Sequence, residues 1–423
     1  MSDLSWIDQA LSSVRPQVVA ALMRYFRDLD TAEEAFQEAC LKALRNWPQK
    51  GPPRDPAAWL IFVGRNAAID DIRKRSRNQA LPDEERLSDL EDAEPSMAER
   101  LDSADYRDDV LRLLFICCHP DLPATQQIAL ALRVVSGLTV PEIARAFLVS
   151  EAAMEQRITR AKRKVAAAGV AFETPSAADR VERIAAVAAM IYLLFNEGYS
   201  ASGGDSHVRE PLCDEAIRLG YLVLRMFPGE PELMGLVALM LFQHARAPAR
   251  LDAEGQIVLL EDQDRSLWRA RPIAEATALI EKAARHRHPG TYQLQAAIAY
   301  EHAGAKAAGE TDWLAIDQYY QMLEILQPSP VVTLNRAVAV SKHAGPAEAL
   351  AMVEPLAGPL AGYFQFHGVR GALLTKLGRA REARAAFEKA ISIANTPAEA
   401  AHIRSHLDRL QADAPVDGPR RSA

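Results

Sequence analysis

A helix-turn-helix pattern at residues 138–164 constrains this chain more than any other feature. Thr139 and Glu142 are placed to form a capping box at the start of a short helix. Phe147-Leu148-Val149 follows as a turn, and Ser150 is placed to cap a second helix. That second helix is strongly basic, and an exposed basic helix in this setting typically enters the major groove of DNA. The sequence therefore predicts a DNA-binding domain.

The composition predicts a soluble, multidomain, almost entirely helical protein. At 423 residues the chain is too long for one compact core. Its 49% hydrophobic and 25% charged residues are ordinary for globular proteins, and no run of alternating β-branched residues suggests strands. No signal peptide and no apolar stretch long enough for a bilayer is recognisable, so we expect a cytoplasmic location without a membrane partner.

A net charge of −7 is unfavourable for binding DNA, but the charge is unevenly distributed along the chain. Residues 83–109 contain twelve acidic residues against three arginines, so this stretch carries −9 and the remainder +2. Basic residues cluster on either side of it, at 73–77 and at 157–164. Because local fields bind phosphate, clustering matters more than the total charge.

The N-terminal segment is predicted to contain three helices. The second opens with a capping box of Thr31 and Glu34, and its acidic residues lie mainly outside the apolar stripe. Asn46-Trp47-Pro48 is predicted to end it. Asp55 and Pro56 begin the third helix, which is predicted to run to Arg77.

The second helix of the helix-turn-helix divides into an inner and an outer face. Met154 and Ile158, four residues apart, are expected to pack inward. Arginine suits guanine and glutamine suits adenine by bidentate geometry, whereas the last basic residues are expected to meet phosphate. The candidate DNA-contacting residues are Ala152, Glu155, Gln156, Arg157, Arg160, Arg163 and Lys164.

The C-terminal half has a different organisation. Long apolar helices at 176–285 are interrupted by two stretches expected to be irregular, 196–204 and 251–268. Beyond them, Ala349 and Ala383 occupy similar turn-helix segments 34 residues apart, the period of the tetratricopeptide repeat.

Nothing in the sequence predicts catalysis. No His-Glu-x-x-His motif occurs, and no Asp or Glu cluster lies at metal-ligand spacing around the histidines. Neither a Walker loop nor a dinucleotide-binding glycine motif occurs. The four cysteines form no Cys-x-x-Cys pair and are expected to be buried free thiols. We therefore expect no enzyme activity, metal or cofactor.

Three segments, in order, resemble a sigma-70 family factor of the extracytoplasmic-function group. Residues 30–38, Asp-Thr-Ala-Glu-Glu-Ala-Phe-Gln-Glu, are similar to the sigma region that grips the clamp helices of the RNA polymerase largest subunit. Residues 59–73 resemble the helix that reads and opens the minus-ten promoter element. Residues 138–164 resemble the fourth sigma region, which reads the minus-thirty-five element.

The resemblance implies specific roles for matching residues. The polymerase-binding set would be Asp30, Glu33, Glu34, Gln37, Glu38 and Leu41. The minus-ten set would be Arg65, Asn66, Asp70, Arg73, Lys74, Arg75 and Arg77. In the first set, carboxylates would meet a basic surface while apolar neighbours supply buried area. In the second, the cations would neutralise phosphates, and Asn66 and Asp70 would contact bases or order their neighbours.

The C-terminal half also has a counterpart in this family. Residues 195–201 and 259–268 look like the long extension of one subgroup, which ends in tetratricopeptide-like helices. The resemblance implies that such an extension modulates sigma activity.

These observations predict an all-α protein with two small helical sigma domains joined by an acidic linker. The predicted parts are a region 2-like domain at 1–78, the linker at 79–105, a region 4-like domain at 106–170, a helical extension at 176–285, tetratricopeptide-like helix pairs at 286–413 and a disordered tail at 414–423. Expected partners are the RNA polymerase core, promoter DNA and an unidentified protein or ligand of the extension.

Two alternatives remain open from the sequence. One is a one-component regulator that binds DNA through its helix-turn-helix and senses a ligand through its C-terminal half. The other is a tetratricopeptide scaffold that acts mainly through protein interactions. Neither would need the acidic helix at 30–44 to bind polymerase.

Overall fold

The computed structural model describes most of the chain, and the described part is all-α, as predicted. The described residues are 5–51, 53–76, 103–119, 121–147, 149–167, 177–199, 210–252, 258–394 and 397–412. Eighteen α-helices and no β-strand occur among them. The chain divides into two compact units, Met1–Leu194 and Phe195–Ala423.

Seven helices and most of an eighth make up the N-terminal unit. They are α1 (Ser5–Phe26), α2 (Leu29–Lys50), α3 (Pro56–Ser76), α4 (Ser103–Cys117), α5 (Ala124–Ala131), α6 (Val140–Ala146), α7 (Glu151–Ala167) and α8 (Ala177–Tyr199). The first three pack against one another, and α1 also contacts α4. Most of the predicted acidic linker, 79–102, lies outside the described residues, and α4 begins slightly before the linker's predicted end.

The start of α2 differs from the prediction. The helix begins at Leu29, and its cap is Asp28, whose Oδ1 accepts the Thr31 backbone N–H at 2.8 Å and the Thr31 hydroxyl at 2.6 Å. Thr31 is therefore a first-turn residue rather than the cap. Asp28 precedes it with the extended backbone that a cap requires, so the capping interaction forms three residues earlier in the chain.

The end of α2 also differs, because tertiary packing overrides the proline. Trp47 is buried, with its ring 6.3 Å from that of Trp6 and 5.4 Å from that of Trp59. The helix continues through Pro48 to Lys50 and ends at Gly51, whose N–H bonds the Trp47 carbonyl at 2.9 Å. A proline removes only one helical hydrogen bond, and the aromatic packing holds the last turn in place.

The start of α3 is confirmed. Asp55 Oδ1 accepts the Ala58 backbone N–H at 3.0 Å, and Pro56 is the first helical residue. Farther along, Gly64 allows α2 and α3 to approach closely, since a Cβ at this position would lie 2.7 Å from the Ala35 carbonyl oxygen. The predicted last residue, Arg77, lies outside the described residues.

The helix-turn-helix is confirmed in detail. Thr139 and Glu142 form the complete capping box at the start of α6, with Glu142 Oε2 2.7 Å from both the backbone N and the Oγ1 of Thr139. Ser150 Oγ accepts the Ala153 N–H at 3.3 Å at the start of α7. Met154 and Ile158 are buried, as expected.

Removing the α6 cap should destabilise the N-terminal unit measurably. We expect Thr139→Ala to lower the free energy of unfolding by about 1 kcal/mol. The hydrogen bonds from the Thr139 backbone and hydroxyl lower the pKa of Glu142, so the carboxylate's share of this stabilisation is present at neutral pH. It disappears as the pH falls through that lowered pKa. Urea denaturation at pH 7 and pH 3 measures both effects. Thr159→Ala, an exposed change on α7, is the control and should lose no stability.

The C-terminal unit contains the remaining helices. They are α9 (Glu210–Met226), α10 (Pro231–Ala245), α11 (Ala270–Ala284), α12 (Thr291–Gly304), α13 (Trp313–Leu326), α14 (Pro330–His343), α15 (Pro346–Val353), α16 (Phe364–Lys376), α17 (Ala380–Ile393) and α18 (Pro397–Ala412). From α9 onward, each described helix packs against the next. The first stretch expected to be irregular is partly wrong, because α8 continues as a helix to Tyr199.

The 34-residue period has a structural counterpart. Ala349 in α15 and Ala383 in α17 are both fully buried, and each lies in the first turns of a helix that follows a positive-φ glycine, Gly345 and Gly378. Small buried residues at equivalent positions let the neighbouring helices pack closely. The packing of these helices therefore repeats at the same positions as the sequence does.

Candidate functional site

The outer face of α7 is largely exposed. The predicted DNA-contacting residues Ala152, Glu155, Gln156, Arg160, Arg163 and Lys164 are exposed, and Arg157 is half-buried. The Lys164 ammonium bonds the Asp121 backbone carbonyl, so this lysine is anchored to the N-terminal side of α5. The arrangement presents polar and basic side chains along one helix face, as major-groove binding requires.

The predicted minus-ten residues lie on α3. Arg65, Asn66 and Asp70 are exposed, and the Arg65 guanidinium lies over the half-exposed Tyr25 ring at 4.6 Å. This cation–π contact links the α3 surface to α1. The backbone of Arg73, Lys74 and Arg75 continues the helix. Arg77 is outside the described residues.

The predicted polymerase-binding surface on α2 is mostly exposed. Glu34, Gln37 and Glu38 are exposed, and Leu41 and Leu44 expose 48% and 47% of their surfaces. Carboxylates and large exposed apolar side chains on one helix face are the composition expected of a protein-binding surface. Asp30 is exposed at the start of the same helix.

Glu33 is the exception, and its predicted place on the solvent-facing side of α2 is wrong. It is only 5% exposed. Its Oε2 lies 2.6 Å from Nζ of Lys162, a residue of α7, and its Oε1 lies 3.2 Å from Nη2 of Arg15 in α1. Lys162 also bonds Oδ1 of Asp30 at 2.6 Å. Glu33 is thus held by cations from two other helices.

The Lys162 ammonium is well matched to this position. Its partial burial acts to lower its pKa, but the carboxylates of Glu33 and Asp30 outweigh that effect and leave the pKa raised. The charge is therefore retained at neutral pH and well above it. Short bonds between fully charged partners, one of them buried, are among the stronger polar contacts in proteins.

Arg15 connects the same cluster to the second helical domain. Its Nε donates to the Val134 carbonyl at 3.1 Å and its Nη2 to the Arg133 carbonyl at 3.2 Å, in the π-helical turn Leu132–Ser136 after α5. Gly137 has φ 78°, and a Cβ there would lie 2.7 Å from the Arg15 side chain. Arg15 was not identified from the sequence, because no local pattern distinguishes it from any other basic residue on an amphipathic helix.

A second ion pair joins α1 to α4. Arg24 Nη1 lies 3.2 Å from Oδ2 of Asp109, which is buried and also pairs with Arg112 within α4. The first three helices and the helix-turn-helix domain are therefore packed together in the N-terminal unit. We call this arrangement, held by the Arg15–Glu33–Lys162 cluster and the Arg24–Asp109 pair, the closed arrangement.

The cysteines are free and mostly buried. Cys117, Cys118 and Cys213 are buried as expected, whereas Cys40 is half-buried. Burial raises the pKa of Cys40 to about 11 and the pKa of Cys118 and Cys213 to about 12. These thiols are protonated at neutral pH and are poor nucleophiles. Across the described ranges, no group of three or more His, Cys, Asp or Glu side chains is placed to hold a metal ion.

The two segments singled out in the C-terminal half are ordered by arginines and a lysine. Arg250 Nη1 bonds the Tyr199 carbonyl and its guanidinium lies 3.8 Å from the Tyr199 ring centre. In the second segment, Asp264 caps the short 3₁₀ turn Arg265–Leu267, and Glu261 pairs with Lys342 of α14. Asp264 thus acts as a local cap, whereas Glu261 makes a long-range ion pair.

Family models match three parts of the chain. The model for Sigma-70 region 2 matches residues 11–78, and the model for Sigma-70, region 4 matches residues 112–165. Residues 183–284 match a model described as a family of unknown function, DUF6596. The first two matches cover α1–α3 and the domain that contains the helix-turn-helix.

Two curated proteins are similar to the chain. "Uncharacterized protein R00370" of Rhizobium meliloti (strain 1021) is 68% identical over 98% of both chains. "ECF RNA polymerase sigma factor EcfG" of Rhodopseudomonas palustris (strain TIE-1) is 29% identical over 161 residues, which cover 38% of this chain and 82% of that protein. No solved structure matches the chain.

Of the helices that the structure describes, none is long and apolar enough to cross a membrane. Sigma factors are transcription initiation factors rather than enzymes, and as a family they bind RNA polymerase core and promoter DNA. The two sigma regions in their family order, the similarity to EcfG and the helical segment that follows lead to one assignment. The chain belongs to the sigma-70 family, as an alternative sigma factor of the extracytoplasmic-function type with a C-terminal helical extension.

Proposed function

We propose that this sigma factor binds the clamp helices of the polymerase largest subunit through the exposed face of α2. Glu34, Gln37, Glu38 and Leu41 would make the contact, and Asp30 and Glu33 would join it once Lys162 has left them. In the same complex, the basic end of α3 would read the minus-ten element and α7 the minus-thirty-five element. The observation that carries this proposal is that α2 exposes carboxylates and leucines together. This surface is on a different helix from the two basic surfaces, which are on α3 and α7.

The closed arrangement cannot be the promoter-bound state. Elements centred about 25 base pairs apart lie roughly 85 Å apart along B-form DNA at 3.4 Å per base pair. Lys162 of the minus-thirty-five helix instead lies 2.6 Å from Glu33 of α2. One compact unit cannot span both elements, so α7 must separate from α2 when the protein engages a promoter. We therefore propose that polymerase binding opens the N-terminal unit.

Substitutions on α7 test the assigned DNA contacts. We expect Arg160→Ala to relax discrimination at one position of the minus-thirty-five element by about 1–3 kcal/mol. Arg163→Ala, its matched control on the same helix, should weaken binding to all promoter sequences about equally, since a phosphate contact carries no sequence information. Transcription by reconstituted holoenzyme from a randomised promoter library measures both effects. An unchanged preferred sequence with Arg160→Ala would contradict the assignment.

We further propose that the C-terminal extension modulates sigma activity. The natural point for a truncation is after Tyr199, because the Arg183 side chain of α8 packs over the Phe115 ring at 4.7 Å within the N-terminal unit. The truncated chain keeps α8 whole.

We expect the chain ending at Tyr199 to differ from the full chain in promoter-specific transcription by about fivefold or more, the usual size of coupling between sites. Multiple-round transcription with each form and saturating core polymerase measures the difference. Equal transcript yields from the two forms would contradict modulation.

A further inference from the structure

A cavity of about 710 Å³ lies within the C-terminal unit. One part of its wall is the 259–265 segment, and the rest comes from helices α12–α14, α16, α17 and α18 and from Ala308 and Thr311 between α12 and α13. Its volume is within the range of sites that enclose small organic molecules. No residue of the sigma regions contributes to it.

The charge lining this cavity is strongly biased. Four permanent cations contribute to the wall, namely Arg265, Lys342, Lys376 and Arg409. The single lining carboxylate, Glu261, is already paired with Lys342. The chain as a whole has a net charge of −7, whereas the charged side chains that line this cavity sum to +3. Concave, partly dehydrated surfaces of one sign attract counter-ions of the other.

Three of these cations form no close ion pair within the described ranges, although the Glu310 carboxylate acts on Arg265 at longer range and Glu261 interacts with Lys376. No Asp or Glu described in the structure lies within 4.0 Å of Arg265, Lys376 or Arg409. Arg265 is instead fixed by backbone groups, since its Nη1 donates to the carbonyls of His302 and Ala305. Its guanidinium also stacks at 4.8 Å on the Trp268 ring. An arginine held in place in this way keeps further N–H donors for another acceptor.

Burial, and to a smaller extent neighbouring cations, lower the pKa of two histidines of the cavity. Burial, together with Arg246 and Arg265, lowers the pKa of His302 to about 4. Burial, His402 and Arg409 lower the pKa of His406 to about 4. Both rings are therefore neutral at physiological pH and can offer hydrogen bonds.

The remaining lining is mainly apolar and aromatic, with a few uncharged polar side chains such as Asn335 and Gln365. Its large members are Leu259, Leu260, Trp313, Tyr320, Phe364, Phe387 and Leu410. Such surfaces favour the apolar body of a ligand, while a few charged groups fix its orientation.

We propose that this cavity binds a small organic anion, whose carboxylate, sulfonate or phosphate group is held by the lining cations and whose apolar body packs on the aromatic residues. The charge bias disfavours cationic ligands and gives no advantage to neutral ones. The segment at 259–265 supplies both Arg265 and the ion-paired Glu261 to the wall. It therefore has a role in the binding site in addition to its local capping interactions.

The test uses the full chain and two probes of similar shape. The first is 8-anilinonaphthalene-1-sulfonate, an amphipathic anion, and the second is the neutral N-phenyl-1-naphthylamine. We expect saturable binding of one sulfonate probe per chain, with at least tenfold weaker binding of the neutral probe. Equal affinity for the two would overturn the proposal, because the cations would then contribute nothing.

Variants on exposed positions localise the site. We expect Arg409→Gln and Lys376→Gln each to weaken binding of the sulfonate probe about threefold to tenfold. The matched controls are Arg404→Gln on α18 and Lys389→Gln on α17, which do not line the cavity and should leave binding unchanged. Wild-type affinity in the Arg409→Gln, Lys376→Gln double variant would overturn the proposal, as would equal losses in the controls.

Discussion

Replacing Lys162 with methionine should open the N-terminal unit and increase the apparent affinity of the protein for core polymerase. The change removes the ammonium that bonds both Asp30 and Glu33, and it keeps most of the side chain's apolar volume. Losing hydrogen bonds between charged groups costs the closed arrangement about 1.5–3 kcal/mol. If only the open form binds core, its larger population raises apparent affinity by about tenfold to a hundredfold.

Lys164→Met on the same helix is the matched control. Lys164 bonds only a backbone carbonyl of its own domain and should not affect the equilibrium between closed and open forms. Titration of labelled core polymerase with each variant, without DNA, measures the affinity. A Lys162→Met protein that binds core no more tightly than wild type would show that the cluster does not limit polymerase binding.

Reversing two exposed charges on α2 should have the opposite effect. We expect Glu34→Lys combined with Glu38→Lys to weaken core binding by at least a hundredfold, since two attractive contacts become repulsive in a surface that also buries Leu41. Glu33 is left out of this variant because its substitution would also disrupt the cluster with Arg15 and Lys162. Its effects on binding and on opening could not be separated.

The same core-binding titration measures this loss. Glu388→Lys, an exposed reversal on α17 in the C-terminal unit, serves as the control and should bind core as the wild type does. Normal core binding by the Glu34, Glu38 variant would favour a one-component DNA-binding regulator, for which this helix face has no polymerase partner.

Local signals in the sequence were sufficient at three of the four predicted helix starts, the exception being Thr31 in α2. The Thr139–Glu142 capping box, the Ser150 cap and the Asp55-Pro56 helix start are all present in the structure. Each depends on hydrogen bonds between residues three positions apart, so the sequence spacing already contains the geometry. The buried positions of Met154 and Ile158 follow from helical periodicity for the same reason.

Contacts between residues far apart in the chain could not be predicted from such local patterns. Trp47 and Pro48 looked like a helix end, but packing of Trp47 against Trp6 of α1 and Trp59 of α3 keeps this turn helical. Glu33 looked like a solvated acid on the face of α2, yet it is buried and paired with Lys162, 129 residues away in the chain, and with Arg15 of α1. The C-terminal cavity combines residues from 259 to 410, and no local pattern predicts that they meet.

The most direct test of the closed arrangement is energy transfer between fluorophores on the two sigma regions. Cysteines introduced at the exposed Ser13 of α1 and Ala166 of α7 can be labelled selectively, because burial raises the pKa of the native Cys40, Cys118 and Cys213 thiols. The free protein should show high transfer efficiency, which falls sharply in the complex with core polymerase and promoter DNA. High transfer that persists in a complex active in transcription would contradict the requirement for opening.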